Sequence, residues 1–339
     1  MKPPARLLVA VLAAIASLTL SACAQESSAA PADPAAESLT IYSGRNEELI
    51  APLLADFTAE TGIAVEVRYG DSAELAAQIL EEGDNARADV FFSQDAGALG
   101  ALSAEGLLQQ LDPSVTSLVA PAFRAADNTW VGVSGRARVL SYNPAKVTDL
   151  PKSVLDLAGP EWRGRIGIAP TNASFQAFVT ALRVLRGEGV ARDFLAAMKE
   201  NAVSFEKNSA ILEAVETGQI DAGLVNHYYW YERAAEVGAD AMTSKLSWFE
   251  AGDPGNLVNV AGVGVLKESS AAAALVKWLL GESAQRYFVD TTFEYALVAG
   301  IPPAKGLPEL ADIQSPDIDL ADLATLNRTL ELISEAGLI

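Results

Sequence analysis

Apolar residues recur along the chain in two alternating patterns, one typical of strands and one typical of helices. Residues 39–43 have strand spacing, and residues 46–60 then carry apolar side chains at three- and four-residue intervals. Further strands are predicted at 63–69, 88–92, 130–133, 138–142, 165–169, 220–225 and 258–266. Helices are predicted at 74–82, after the strand at 88–92 up to residue 102, and at 175–185, 191–200, 210–217, 271–280 and 320–336. This order predicts an α/β fold with a mostly parallel sheet covered by helices.

The beginning of the chain differs in composition and is predicted to direct export. Two basic residues precede an uncharged stretch, residues 7–22, that is shorter than the roughly 20 residues needed to span a bilayer. This arrangement predicts a secretory signal over residues 1–22. The only cysteine, Cys23, follows directly and resembles the lipid-modified cysteine of the bacterial lipobox, although an ordinary signal peptide is the alternative. Residues 23–38 are small, polar or proline and predict a flexible tether.

Charge and rare residues exclude several classes of function. The 339 residues include 44 acidic and 24 basic ones, which gives a net charge of −20 that repels nucleic acid. One cysteine and one histidine, His227, exclude cysteine-based metal clusters and zinc sites with several histidines. An enzyme such as a secreted hydrolase would depend on His227 alone, and no serine motif accompanies it. We interpret His227 as a structural residue or as one that supports a metal ligand without binding the metal.

Ligands of open parallel sheets bind beyond the carboxyl ends of the strands, so the strand-to-helix junctions are the candidate binding positions. Those junctions lie at 42–46, 93–95, 170–174 and 226–229. None of them carries a glycine-rich nucleotide motif. Tyr228 and Tyr229 directly follow a predicted strand, and their phenolates would be hard oxygen ligands suited to Fe(III). Simple aromatic packing at a helix start is the alternative.

Basic residues at two other places suggest an anion site. Side chains alternate along a strand, so Arg136, Arg138 and Tyr142 are expected on one face. Arg45 lies at the first junction, where guanidinium groups beside a helix N-terminus would hold a small anion such as carbonate. The alternative is that these arginines pair with carboxylates, which are abundant in this chain.

A series of short motifs resembles the bacterial ferric-iron-binding proteins, the solute receptors of iron ABC transporters. The motifs are IYSGR at 41–45, GD at 83–84 before ADVFF at 88–92, GRARV at 135–139, WRGR at 162–165, PTN at 170–172, NHYY at 226–229 and VNVAGVG at 258–264. The resemblance implies Fe(III) bound by Tyr228, Tyr229 and Tyr142, with a small anion. It also implies a non-enzymatic receptor that delivers its cargo to a membrane permease.

The resemblance further implies the periplasmic-binding-protein fold, in which two α/β lobes are joined by crossing strands. We predict a first lobe of residues 39–134 with 258–303 and a second lobe of residues 135–257 with 304–339. The protein is expected to be a monomer outside the cytoplasm, in the periplasm or at the cell surface, held to the membrane by lipid on Cys23.

Two positions of this chain depart from the residues that are usual in the family. Many relatives carry a histidine where this chain has Asn46, and some carry a glutamate ligand where it has Gln94. The first lobe therefore offers no strong metal ligand, and three phenolates with an anion are expected.

A receptor for a polyamine or an oxyanion is the alternative function. Its cleft carboxylates and aromatic walls would come from Glu47, Asp95, Trp230 and Trp248.

Overall fold

The computed structural model describes residues 37–339. The predicted signal peptide, Cys23 and nearly all of the predicted tether lie outside the described residues. Within the described part of the chain, no helix is both long enough and apolar enough to span a membrane.

Within residues 37–339, ten strands and eleven α-helices follow one another, and the apolar pattern predicted most of the longer ones. The strands are β1 (Ser38–Ser43), β2 (Ala64–Tyr69), β3 (Val90–Ser93), β4 (Trp130–Tyr142), β5 (Ile166–Ile168), β6 (Ala202–Ser204), β7 (Ala222–Asn226), β8 (Lys245–Ser247), β9 (Val258–Val265) and β10 (Tyr295–Ala296). The helices are α1 (Glu47–Thr61), α2 (Ser72–Glu82), α3 (Ala96–Ala104), α4 (Pro113–Thr116), α5 (Ala173–Arg186), α6 (Glu188–Asn201), α7 (Asn208–Glu216), α8 (Tyr228–Val237), α9 (Ser270–Leu279), α10 (Glu282–Asp290) and α11 (Leu326–Glu335).

The strands are hydrogen-bonded in the order β2-β1-β3-β9-β4-β7-β5-β6, and β10 and β8 also pair with β4. Parallel pairs form at both ends of this path, β1 with β2 and β3, and β5 with β6 and β7. The pairs in the middle are antiparallel. Every residue of β7 and β9 is buried, as expected for strands that helices cover on both faces.

Strand β4 is shared between two sets of strands. The sequence predicted two separate strands here, but the structure has one strand of 13 residues with a register shift at Gly132/Ser134. Up to Ala137 it pairs with β9, and from Arg138 onward it pairs with β7. The partner therefore changes between two adjacent residues. The predicted lobe boundary near Ser134 stays a prediction, and the change of partner lies three residues beyond it.

Side-chain caps begin the helices that follow β1, β2, β3 and β5. Asn46, Asp71, Asp95 and Asn172 each accept a hydrogen bond from a backbone N–H in the first turn of the next helix. Each cap satisfies a donor that the helix itself leaves free. These caps fix the turn geometry at the carboxyl ends of the strands, where the candidate binding residues lie.

The C-terminal segment differs from the single helix predicted over 320–336. Residues Leu320–Ala324 form a 3-10 turn, Thr325 interrupts the helix, and α11 then packs on α5 and α6. The 3-10 turn packs on α3, where a Cβ atom added to Gly97 would lie 2.7 Å from the carbonyl oxygen of Leu323. Glycine at this position allows the two backbones to approach closely.

We expect Gly97→Ala to destabilise the protein by about 1–3 kcal/mol, because the added methyl group forces the turn away from α3. Gly189→Ala in α6 is the matched control, since a Cβ atom there meets no atom within 4 Å. That control is expected to be neutral or to stabilise by up to about 1 kcal/mol. Urea unfolding measures both variants, and equal stability of the two would contradict the close packing.

Candidate functional site

Two stacked tyrosines stand where β7 ends and α8 begins. The rings of Tyr228 and Tyr229 lie with centroids 4.2 Å apart and planes at 27°. Tyr228 is buried and Tyr229 is partly buried. Burial raises the pKa of both phenols above the ordinary value. In the absence of a cation the two hydroxyls are therefore protonated at neutral pH, although their oxygens are held side by side.

A buried ion cluster lies beside the tyrosines. The Arg45 guanidinium donates to both carboxylate oxygens of Glu294, at 3.0 and 2.9 Å, and also to the side-chain oxygen of Gln94 at 2.9 Å. Arg136 approaches the same carboxylate at 3.8 Å and donates to the Gln94 carbonyl oxygen. Burial opposes ionisation of Glu294, but the two arginines outweigh it and lower its pKa. Glu294 therefore holds the guanidinium groups of Arg45 and Arg136 in place.

Arg138 has different partners from the other two arginines. It is buried, donates to the Ser174 hydroxyl oxygen at 3.1 Å, and lies over the rings of Phe175 and Phe178. No carboxylate lies within 4 Å of its guanidinium among the described residues, and its Nη1 has no hydrogen-bond partner among them. Burial lowers the pKa of Arg138 to about 9, because the unneutralised charge is costly there.

Polar side chains surround Arg138 in a small cavity. The cavity lies between the carboxyl ends of strands and is lined by Gln94, Asp95, Arg136, Arg138, Ala173, Ser174, Asn226, Leu257 and Asn259. Asn259 Nδ2 is buried without a partner among the described residues. A donor of Arg138 and a donor of Asn259 are therefore available in one cavity, which suits an anion.

His227 has a structural role, one of the two roles expected from the sequence. Its Nδ1 accepts the backbone N–H of Ala137 at 3.1 Å, and its Nε2 lies 2.8 Å from the carbonyl oxygen of Phe293, to which it donates in the matching tautomer. Burial lowers its pKa to about 4, so the ring is neutral. Both nitrogens are thus used to join β4, α8 and the segment before β10.

The strand register does not bring Tyr142 to the tyrosine pair. Arg138 pairs with Asn226, at the end of β7 next to Tyr228, whereas Tyr142 pairs with Ala222 at the other end of β7. Four residues of strand separate Arg138 from Tyr142, or about 13 Å. Tyr142 packs instead against the main hydrophobic core. The expected convergence of three phenols is therefore reduced to two, because a shared face does not mean a shared end of the strand.

Asn46 and Gln94, the two departures noted in the sequence, have structural partners. Asn46 is exposed and caps α1, and the side chain of Gln94 accepts from Arg45. Three further residues of the site, Glu294, Asn259 and Glu232, were not predicted as site residues. Glu294 has no local motif, since its role depends on partners far away in the chain. Asn259 lies in the VNVAGVG motif, but its place beside Arg138 depends on the pairing of distant strands. Glu232 had a signal, its spacing of three residues from Tyr229 on one helix.

Glu232 lies one turn along α8 from the tyrosine pair. Its side chain is partly buried and forms no hydrogen bond or ion pair with the described residues. Burial, followed by the charges of Glu294 and Glu236, raises its pKa to about 7. Two of the four residues proposed for a polyamine site have other partners: Asp95 caps α3, and the Trp230 indole donates to the Ser244 carbonyl oxygen.

Solved structures of other proteins share this fold. The iron-bound HitA structure of Pseudomonas aeruginosa is 35% identical, covers 89% of this chain and 99% of its own, and superimposes with a TM-score of 0.83. A Trichodesmium protein in complex with iron and citrate is 27% identical, covers 88% of this chain and 99% of its own, with a TM-score of 0.75. These similarities confirm the predicted two-lobe binding-protein fold.

Sequence relatives extend over nearly the whole chain. The Fe(3+)-binding periplasmic protein of Serratia marcescens is 38% identical over 316 residues, 91% of this chain and 93% of the relative. The major ferric iron-binding protein of Neisseria gonorrhoeae is 36% identical, over 91% of this chain and 95% of the relative. Residues 39–294 match the family model of bacterial extracellular solute-binding proteins, which are transport receptors and not enzymes. The chain belongs to this family of bacterial extracellular solute-binding proteins.

Proposed function

We propose that this protein is an extracytoplasmic receptor that binds Fe(III) and delivers it to the membrane permease of an ABC transporter. The observation that carries the proposal is the stacked pair of buried phenols at the start of α8, beside an arginine-lined cavity. The relatives named above, which are described as ferric-iron-binding proteins, support the same cargo. A polyamine has no comparable support, because the cleft presents three buried arginines.

Tyr228 and Tyr229 are the proposed ligands. A phenol in water loses its proton near pH 10, and burial raises the pKa further in this site. A trivalent cation would displace both protons, since a bound metal strongly favours the anionic form of its ligands. The N-terminus of α8 and the nearby Arg136 also favour negative charge on the two oxygens. Iron binding would then release protons, and the affinity would fall as the pH is lowered.

Arg138 is the proposed centre of the anion site, and Arg45 and Arg136 contribute to the positive field. The three guanidinium groups outnumber Glu294 and Asp95 even when both carboxylates are ionised, by 3 − 2 = +1. The N-terminus of α5, capped by Asn172, adds backbone donors beside Arg138. A small anion such as carbonate would satisfy these donors and bridge to the iron.

The predicted lobes give the receptor its means of signalling. Arg45 and Gln94 belong to the first proposed lobe, residues 39–134 with 258–303, and the tyrosines belong to the second, residues 135–257 with 304–339. A ligand that contacts both lobes would favour the closed arrangement, which the permease would recognise. We further propose that lipid on Cys23 holds a monomeric receptor beside the membrane.

Tyr228→Phe and Tyr229→Phe are each expected to weaken Fe(III) binding by more than about 100-fold, because each variant removes a ligand oxygen and keeps the ring. The visible absorption band from phenolate-to-iron charge transfer should weaken in each variant and disappear in the double variant. Titration with Fe(III) against a competing chelator, followed by absorbance, measures both effects.

Tyr142→Phe is the matched control, since it removes the same oxygen from the same lobe. The strand register places Tyr142 at the far end of β7, so its affinity and absorbance are expected to match those of the unaltered protein. Full retention of iron binding in the Tyr228→Phe/Tyr229→Phe double variant would disprove the proposed site.

Arg138→Gln is expected to lower the affinity for iron in bicarbonate buffer by about 10- to 100-fold, because a charged hydrogen-bond donor to the anion is lost. Without bicarbonate the variant and the unaltered protein should differ much less. Arg163→Gln, at an exposed ion pair with Glu200 in the same lobe, is the control. An equal bicarbonate effect in all three proteins would place the anion elsewhere.

Cys23→Ala is expected to release the protein from membranes into the soluble extracytoplasmic fraction, since the lipid attachment atom is removed. Iron binding by the released protein should be unchanged. Fractionation and mass spectrometry of the mature N-terminus test this, and an unmodified N-terminus away from Cys23 in the unaltered protein would contradict lipid attachment.

A further inference from the structure

We infer that the carboxylate of Glu232 is a third anionic ligand of the bound cation, together with Tyr228 and Tyr229. This inference rests on the proposed function and specifies the ligand set of that site. Four observations carry it: the position of Glu232 on α8, its charged neighbours, its lack of a partner among the described residues, and the charge of the other ligands.

The helix places Glu232 on the side of the tyrosine pair. Residues three and four apart on an α-helix are neighbours on one face, and Glu232 lies three residues after Tyr229 and four after Tyr228. Glu236 lies one turn further on and is directed differently, since its exposed carboxylate accepts from Arg233 at 3.0 Å. The first two turns of α8 therefore place two phenols and one carboxylate on neighbouring positions of one face.

The charges that act on Glu232 belong to the binding site. Its carboxylate is close enough to Tyr229 to oppose ionisation of that phenol, and Glu294 and Arg45 act on Glu232 in turn. Glu294 and Arg45 are buried in the ion cluster next to the tyrosines. Glu232 thus lies within the electrostatic reach of Arg45 and Glu294, which belong to the other proposed lobe.

A partly buried carboxylate without a protein partner depends on water or on a cation for its stabilisation. Glu232 has no ion pair among the described residues, and the nearby Arg45 is already engaged by both oxygens of Glu294. No basic side chain lies within 4 Å of Glu232 in the described part of the chain. A cation bound at the phenols would supply a charged partner.

The charge of the ligand set gives the strongest argument. Fe(III) carries three positive charges, and the two phenolates supply only two negative ones. Tyr142 lies at the wrong end of β7, and the first-lobe candidates Asn46 and Gln94 are neutral amides. Glu232 supplies the third negative charge, so 3 − 2 − 1 = 0, and its oxygen is a hard donor like the phenolates. The anion at Arg138 is then balanced by the arginines.

Glu232→Gln tests this inference, because it keeps the size of the side chain and removes the charge. The probe is Fe(III) delivered from nitrilotriacetate, in competition with citrate. We expect the iron affinity to fall by about 10- to 100-fold, the range found when groups that support a metal site are removed. The phenolate-to-iron band should persist but shift to longer wavelength, since iron that loses a carboxylate ligand accepts charge more readily.

Glu236→Gln is the matched control, one turn further along the same helix. It removes the same charge from an exposed side chain and should leave both affinity and band position unchanged. Thermal unfolding of the iron-free variants should show that both retain the fold.

The outcomes separate this inference from the proposed function. An affinity and band position of Glu232→Gln equal to those of the unaltered protein would overturn the inference while the proposed function stands. A lower affinity with no band shift would also overturn it, because Glu232 would then act only through its distant charge. An unaltered protein that binds iron without any phenolate band would contradict the proposed function itself.

Discussion

The hydrogen bonding of β4 is the constraint on which the rest of the site depends. One strand pairs with β9 up to Ala137 and with β7 from Arg138 onward, so its register fixes both halves of the cleft at once. The same register sets Arg138 beside Asn226 and therefore beside the start of α8. His227 reinforces this junction, because its ring accepts from Ala137 and bonds the carbonyl oxygen of Phe293. A side chain four residues further along β4, such as that of Tyr142, is on the same face of the strand but lies outside the site.

The buried ion cluster at the cleft holds the arginines in position more than it stabilises the fold. Burying charges is costly, and buried ion pairs often contribute little net stability compared with apolar packing. Glu294 nevertheless binds Arg45 with two hydrogen bonds and holds Arg136 nearby, which prevents either guanidinium from moving freely. Arg138 is left without a carboxylate among the described residues, and the adjoining Asn259 donor is also free there. The fold thus concentrates unmatched positive charge at one place, next to two phenols that a cation would ionise.

Several parts of the fold and site were predictable from sequence because their causes are local. Helical and strand periodicity placed most elements within a few residues of their observed bounds, and the spacing after β7 identified the tyrosine pair. The predicted separation of β4 into two strands was wrong, since glycine and serine at 132–135 weaken the local pattern while pairing with β9 continues through them. The break at Thr325 was also missed, because the 3-10 turn before it is set by packing on α3.

The sequence by itself determined the α/β class, the family resemblance and the presence of phenols and arginines at strand ends, because side-chain type and short-range spacing decide these properties. Only the tertiary structure decided which of those groups meet. Arg45 and Glu294 are 249 residues apart in the chain, and no local pattern connects them. Likewise, alternation along β4 gave the face of Tyr142 but not its partner, because the register between two strands is fixed by long-range hydrogen bonding and core packing.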